Sequence, residues 1–400
     1  MTTGSDAELD YLLVGGGLAN ALIALRVFEA QPRARVGLVE RSATIGGNHI
    51  WCFHAGDVDA PSRAVVTRLV GASWPGYSVH FPELTRTLDE PYCAVRSERL
   101  HEVVCRAFAE RGAERGSQLL LGARAVDTTD RTVTLDDGRV LRARVVVESR
   151  GPDVLAAGPS AGYQKFLGLE LKLRSPSPLT VPRLMDARLP QVDGFRFMYA
   201  LPLSPDRVLL EDTYFSDSDT LDRPRIREEI LAYAAQNGLD VEAVAREEHG
   251  ILPLPTRLPM GDNPATGGPL VAGYQGAWFH PVTGYSFPLA VRVASAIASA
   301  GHDELRGRVW PALLREQRAQ LRYCLLLNRL FFEAFAPEKR HHVIERFYRL
   351  PAPMVRRFYA MTLTRGDRAR ILCGRPPRGF SLARVLSGRA RDTSSEGARS

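Results

Sequence analysis

The chain opens on a short apolar strand, Tyr11-Leu12-Leu13-Val14, that runs into Gly15-Gly16-Gly17-Leu18-Ala19-Asn20 and then into an apolar helix through Phe28 and a second strand, Arg35 to Glu40. Strand, glycine turn, helix and strand make one βαβ unit. Parallel pairing requires a right-handed crossover and puts the glycine turn at the strand's carboxyl end, the ligand side of an open α/β sheet. Lacking a Cβ, Gly15 can make the tight turn and Gly17 lets the backbone approach a pyrophosphate, whose charge the helix N-terminus favours. Glu40 lies 20 residues beyond Asn20, where it can accept ribose hydroxyls. Contacts to a dinucleotide are therefore expected along Gly15, Gly16, Gly17, Leu18, Ala19, Asn20 and Glu40. Asn20 stands where the usual third glycine would be, which predicts weaker packing of helix on strand.

Further strands are expected around Gln118 to Leu121, Val133 to Leu135 and Ala143 to Val147, the last ending at Glu148-Ser149-Arg150-Gly151. From about 160 to 255 longer, partly alternating segments (Leu169 to Leu173, Phe195 to Leu203, Val208 to Tyr214) predict an antiparallel sheet, with a helix from about Pro224 to Asn237. A strand at Pro269 to Ala272 and an apolar helix, Pro288 to Ala300, then complete the first lobe. Residues 304 to 390 predict helices, including Val309 to Ala336 and His342 to Thr364, and the polar end from Arg391 predicts a disordered tail. The fold class is thus α/β: a Rossmann-like FAD-binding lobe (1-158 and 265-303), a β-sheet substrate lobe (159-264), a helical region (304-390) and the tail (391-400). FAD is favoured over NAD because an isoalloxazine must lie between a cofactor lobe and a substrate lobe, and the closing segment from Gly273 to Ser286 offers backbone N–H groups to its pyrimidine edge.

Charge is uneven. Residues 301 to 400 carry 21 Lys and Arg against 9 Asp and Glu, and the first 300 carry 31 against 36. A basic C-terminal third with interleaved aromatics, as in Arg356-Arg357-Phe358-Tyr359, suits an anionic lipid surface, and equally suits a solvated arginine-rich face. It carries no nucleic-acid recognition motif. The five cysteines are scattered without metal-ligand or disulfide spacing, so no metal is expected and a reducing cytosol fits. The start of the chain is polar and acidic rather than an export signal, and no run of about eighteen apolar residues predicts a membrane span.

Several blocks together resemble the bacterial lycopene cyclases over nearly the whole chain. They are Gly46 to His54, Gly162-Tyr163-Gln164-Lys165-Phe166, Asp193 to Phe197, Leu201-Pro202-Leu203, Leu210-Glu211-Asp212-Thr213-Tyr214, Gly250 to Pro253, His280 to Ser286, Arg346-Phe347-Tyr348 and Arg370-Ile371-Leu372. Glu148 departs from the Asp more usual before Arg-Gly. The resemblance implies acid-initiated, redox-neutral closure of the ends of lycopene to β rings, through γ-carotene to β-carotene, by an FAD- and NAD(P)H-dependent isomerase. It implies reduced FAD as a source of negative charge and NAD(P)H as a transient reductant, since no second glycine fingerprint would hold the nicotinamide. It also implies Glu211 with Asp212 as the acid/base pair. Alternation sends the two carboxyls to opposite faces, so Glu211 is expected to meet the polyene and Asp212 to orient backbone or flavin contacts.

Gly47, His49, Gly151, Gly273, Thr283, Gly284 and Tyr285 are expected around the flavin, and Trp51, Arg196, Tyr199, Phe279 and His280 along the substrate tunnel. A water-insoluble polyene must be drawn from a bilayer, so the protein is expected in the cytoplasm, peripherally bound to the inner face of the cell membrane. Two other readings compete. One is a flavin-dependent isoprenoid reductase or monooxygenase on the same fold, which would change the substrate's mass; the other is a carotenoid- or lipid-binding protein with a dead flavin site.

Overall fold

The computed structural model describes residues 8–151, 160–256, 267–374 and 376–384. The expected βαβ unit is present as strand Leu9–Val14, helix Leu18–Ala30 and strand Val36–Glu40. It lies inside a seven-stranded sheet whose parallel part runs Gln118–Leu121, Val36–Glu40, Leu9–Val14, Val140–Glu148, with the short Leu270–Val271 beside the last. Val140–Glu148 also continues antiparallel through Thr132–Leu135 to Ala125–Thr128. Strands buried on both faces read as near-continuous apolar runs, as Leu12-Leu13-Val14 and Val145-Val146-Val147 do. One face packs on Leu18–Ala30 and Phe287–Ser299.

The second sheet also has seven strands: Val241–Pro255, Ser160–Leu173, Arg207–Ser216, Phe195–Ser204, Arg183–Asp186, Tyr77–Phe81 and Leu84–Leu88. Its last two strands come from the first 158 residues, so the expected cofactor-lobe boundary is crossed: this part of the N-terminal segment extends the substrate-side sheet. A three-stranded sheet of Ile50–His54, Tyr92–Arg96 and Ala72–Trp74 stands between the two large ones in the chain's path. One face of the second sheet packs on helix Arg223–Gln236. The other presents Phe195, Phe197, Leu201, Leu209, Phe215 and Leu254 to Phe331, Phe332, Tyr348, Phe358 and Tyr359 of the C-terminal helices.

Those helices are Trp310–Glu333, His341–Phe347, Ala352–Tyr359 and Arg365–Leu372. The single helix expected from His342 to Thr364 is broken, because Pro351 has no N–H to give and pushes Leu350 out of helical geometry. No helix among the described residues is long and apolar enough to cross a membrane. The expected tail, 391-400, lies outside the described residues.

Candidate active site

At the glycine turn, Gly15 has φ +95° and a Cβ there would stand 2.8 Å from the Ser149 carbonyl oxygen. Only glycine fits. A Cβ on Gly17, by contrast, would meet nothing within 4 Å, so the helix N-terminus opens onto unfilled space. The Leu18–Ala30 helix has no side-chain cap, which leaves its first N–H groups to an anionic ligand. Glu40 Oε2 accepts from the Gly16 N–H at 2.7 Å and Oε1 from Ser42 N–H at 2.7 Å, fixing the acid at the end of its strand.

Asn20 does not loosen the unit as expected. Fully buried, its Nδ2 donates to the Val14 and Gly15 carbonyls at 2.9 Å each, tying the helix back onto the turn. Leu18 and Ala19 are buried, so only their backbone can serve a ligand. Gly46 donates to the Gly16 carbonyl at 2.9 Å, bringing the Gly46-Gly47 turn against the first. Glu148 settles the local departure noted in the sequence by holding Arg150 through both oxygens, at 2.9 and 2.8 Å.

Gly273, at φ +57°, lies against Ser149, where a Cβ would stand 2.2 Å from the hydroxyl. Gly284, at φ +70°, faces Gln164 and Leu252 of the second sheet. Gly15, Gly46 and Gly273 are thus bound to one corner, and Gly284 carries the closing segment to the junction of the two sheets. Gly47 and His49 are exposed beside that corner, as is Gly151. Thr283 sits in a turn whose N–H groups, with that of Gly284, return to the His280 carbonyl. Phe287–Ser299 starts without a side-chain cap, giving a second helix N-terminus directly after this turn. Tyr285 turns away: its hydroxyl accepts from the His54 N–H at 2.9 Å and lies 3.3 Å from Asp57 Oδ2.

Glu211 lies on the aromatic face of the second sheet, paired across strands with Tyr199 and Gly168. It keeps some accessible surface yet is deep enough that burial, with the Glu248 carboxylate, raises its carboxyl to about 8; Asp212 adds to the rise and the Thr213 hydrogen bond, 2.7 Å, opposes it. A carboxyl of that kind stays largely protonated at neutral pH. Tyr199 hydrogen-bonds Tyr92 at 3.2 Å, and the Cys52 thiol, pushed up to about 12 by burial, bonds both.

Asp212 points the other way. It is fully buried on the Arg223–Gln236 side, ion-paired to Arg196 at 2.7 Å and bonded by the Tyr214 hydroxyl at 2.9 Å. Burial pulls Arg196 down, but the Asp212 hydrogen bond and charge outweigh it and push the guanidinium up. Arg196 also pairs with Glu229. Arg196 therefore does not share the face of Glu211 as expected, and Asp212 reaches neither that face nor the glycine corner; the period of two along a strand separates them.

Alternation also corrects the Ile50–His54 strand. Trp51 faces the first lobe, with its Cη2 3.1 Å from where a Gly46 Cβ would be, while Cys52 faces the Glu211 wall. Phe279 is buried in the first lobe, stacked on Tyr274 at 4.1 Å, and His280 is buried against Phe358 with burial pulling it down to about 3. Of the expected substrate residues, Tyr199 is the one paired with Glu211 across the strands, and His280 meets the same cluster through Phe358. Sequence reasoning missed Cys52, Tyr92, Thr213 and Glu248. Glu248 could have been found from the alternation of Glu248, Gly250 and Leu252 on a strand beside the Glu211 ladder.

A family model described as lycopene cyclase protein matches residues 10–385. The chain is 40% identical to a lycopene beta-cyclase of Pantoea ananas over 372 residues, covering 92% of this chain and 95% of that one. Among solved structures it resembles a geranylgeranyl bacteriochlorophyll reductase-like protein of Thermoplasma acidophilum, with a TM-score of 0.63 at 11% identity over 96% of this chain and 99% of the other. It also resembles a probable FAD-dependent monooxygenase of Pseudomonas aeruginosa, with a TM-score of 0.59 at 20% identity over 86% and 100%. These two likenesses concern the fold.

Proposed function

The chain belongs to the lycopene cyclase family, and on that premise we propose that it is a lycopene β-cyclase, an isomerase that closes the linear ends of lycopene to β rings through γ-carotene. The observation that carries the chemistry is Glu211, a carboxyl that burial and Glu248 raise to about 8, on a largely aromatic wall. Its proton goes to C2 of the terminal double bond and leaves a cation at C1. The C5=C6 π pair then forms the C1–C6 bond, and loss of the C6 proton restores neutrality, so substrate and product have the same mass. Tyr199, paired with Glu211 across the strands, would supply an aromatic ring to stabilise the developing cation. The surrounding phenylalanines and leucines exclude water that would otherwise trap it.

The glycine corner fits FAD: the open space at Gly17 admits a pyrophosphate, the uncapped N-terminus of Leu18–Ala30 favours its charge, and Glu40 stands where ribose hydroxyls would be. Gly273, Thr283 and Gly284 would receive the ring system through their backbone. Held there in reduced form, FAD would supply negative charge to stabilise a cation, with NAD(P)H as a transient reductant. Asp212 and Arg196 act on the fold of the sheet rather than on the polyene. The protein works peripherally at the inner face of the cell membrane, taking lycopene and related linear carotenoids from the bilayer, with the C-terminal helices as the docking surface.

The test is expression in lycopene-accumulating cells beside Glu211→Gln, with pigments separated and weighed. Isomass β-ringed product, lost in the variant although its flavin is retained, is the expected result. Unchanged lycopene from a folded flavoprotein would overturn the reading, and a gain of two hydrogens or of an oxygen would turn it to a reductase or a monooxygenase.

A further inference from the structure

The Ser160–Leu173 strand places one residue without a side chain between two acidic ones, since Gly168 pairs with Glu211 on one neighbouring strand and with Glu248 on the other. Directly paired residues rise on the same face, and strands stand about 4.8 Å apart, so the two glutamates begin roughly 10 Å apart at the backbone with only a glycine between them. A Cβ on Gly168 would lie 3.1 Å from Glu248 Cγ and 3.4 Å from its Oε1. Glu248 therefore leans over the glycine toward Glu211. Its Oε2 accepts from Arg246 Nη2 at 2.5 Å, and its side chain is 11% exposed. Arg246 in turn donates through Nε to Asn48, in the loop that follows Gly46 and Gly47.

We propose that Glu248 is a positioning residue for the proton donor: a carboxylate held by Arg246 and laid across Gly168, whose charge keeps Glu211 protonated and ready to donate. The proposal rests on the reading of Glu211 as the acid. Two carboxyls so placed do not ionise together readily, and the one with a cation ionises first. Burial raises the Glu248 carboxyl above its ordinary range and Glu170 adds to the rise; Arg246 and Arg96 offset part of it, which leaves Glu248, and not Glu211, with a cation to ionise against. Glu211 has a hydroxyl, that of Thr213, and no hydrogen-bonded cation among the described residues.

The remaining titratable groups around the pair are Tyr199, Tyr92 and Cys52, all raised by burial and so uncharged near neutrality. Asp212 is locked to Arg196 behind the sheet, and His49 lies near Arg246. Arg207, on the Glu211 strand, is held by Glu170. Beyond burial, the larger of the two charges that raise Glu211 is that of Glu248, with Asp212 the lesser.

The experiment is a pH titration of the flavin-loaded protein with two readouts: turnover of lycopene, and the infrared carbonyl band of the protonated acid that Glu211→Gln removes. Glu248→Gln keeps the shape and an acceptor for Arg246 but drops the charge. It is expected to move both midpoints about one pH unit lower, cutting turnover on the alkaline side about tenfold, with unchanged flavin content. Glu248→Asp, which keeps the charge, should restore most of the midpoint. Equal midpoints in wild type and Glu248→Gln would overturn the proposal. A wild type that leaves lycopene unchanged yet shows the infrared shift would overturn the cyclase reading and leave the pair standing. Should Glu248→Gln lose its flavin, Gly168→Ala applies the same test by pushing Glu248 off Glu211; an unshifted band there also overturns it.

Discussion

A carboxyl on an apolar wall destabilises the fold as soon as it has to ionise, and Glu211 carries that cost. Its carboxyl is raised to about 8 from an ordinary 4.5. Between those values the native state holds a proton that the unfolded chain has released, so stability falls as pH rises through the window and levels off above it. Glu211→Gln removes the effect. Its melting temperature relative to wild type should climb by a few degrees from about pH 5 to about pH 8 and then hold level, as differential calorimetry would show. A difference independent of pH would mean that the acid ionises as freely as a surface glutamate. Asp212, by contrast, is half of a buried pair, and Asp212→Asn leaves the Arg196 guanidinium with Glu229 alone. A loss of about 3 kcal/mol in urea unfolding is expected, with near-normal product per bound flavin. Normal stability with lost turnover would instead give Asp212 a chemical role.

At the scale of elements, the glycine turn separates cofactor binding from folding. Gly17→Val sends a branched side chain into open space at the helix N-terminus, so flavin content should fall at least tenfold while the apoprotein melts within a few degrees of wild type. Gly15→Ala meets the Ser149 carbonyl and a positive φ, so it should lower both; absorbance ratios and melting curves separate the two. This unit was legible in the sequence because its signals are local: an apolar strand, a turn that only glycine allows, and a helical period. Several of the other blocks are structural in purpose. A Cβ on Gly162 would overlap Phe332, so that glycine lets the Trp310–Glu333 helix lie on the sheet, and Asp193-Gly194 form a turn at φ +58° and +108° against Phe215. Buried Lys165 holds Asp193 at 2.7 Å. What the sequence did not disclose is long-range. The Tyr77–Phe81 hairpin joins the second sheet through Arg183–Asp186, far along the chain, and the facing of Trp51 against Cys52 turns on a one-residue phase that no local pattern fixes. The alternation around Glu248 is legible on its own strand, but its place across Gly168 from Glu211 depends on the pairing of three strands distant in sequence.

The whole molecule packs its C-terminal helices onto the face that bears Glu211, so the same helices that wall the site are those proposed to meet the membrane. Much of their positive charge is already paired within the protein: Arg357 with Asp367, Arg340 with Asp217, Arg349 with Glu345 and Arg378 with Glu83. Attraction to anionic headgroups is therefore weaker than the net charge of this third suggests, and apolar contact has to carry a share. Leu372, Phe380 and Leu382 are exposed in this region, at 44%, 41% and 62%. Exchanging Leu372 and Leu382 for Ser removes about 2 kcal/mol of insertion energy if both enter the bilayer, a more than tenfold loss of partition into anionic vesicles in a flotation assay. High salt should lower the partition of the wild type only in part, since screening acts on the headgroup attraction and not on the leucines. Flotation indifferent to both treatments would move the docking surface to another face and detach membrane binding from the wall of the site.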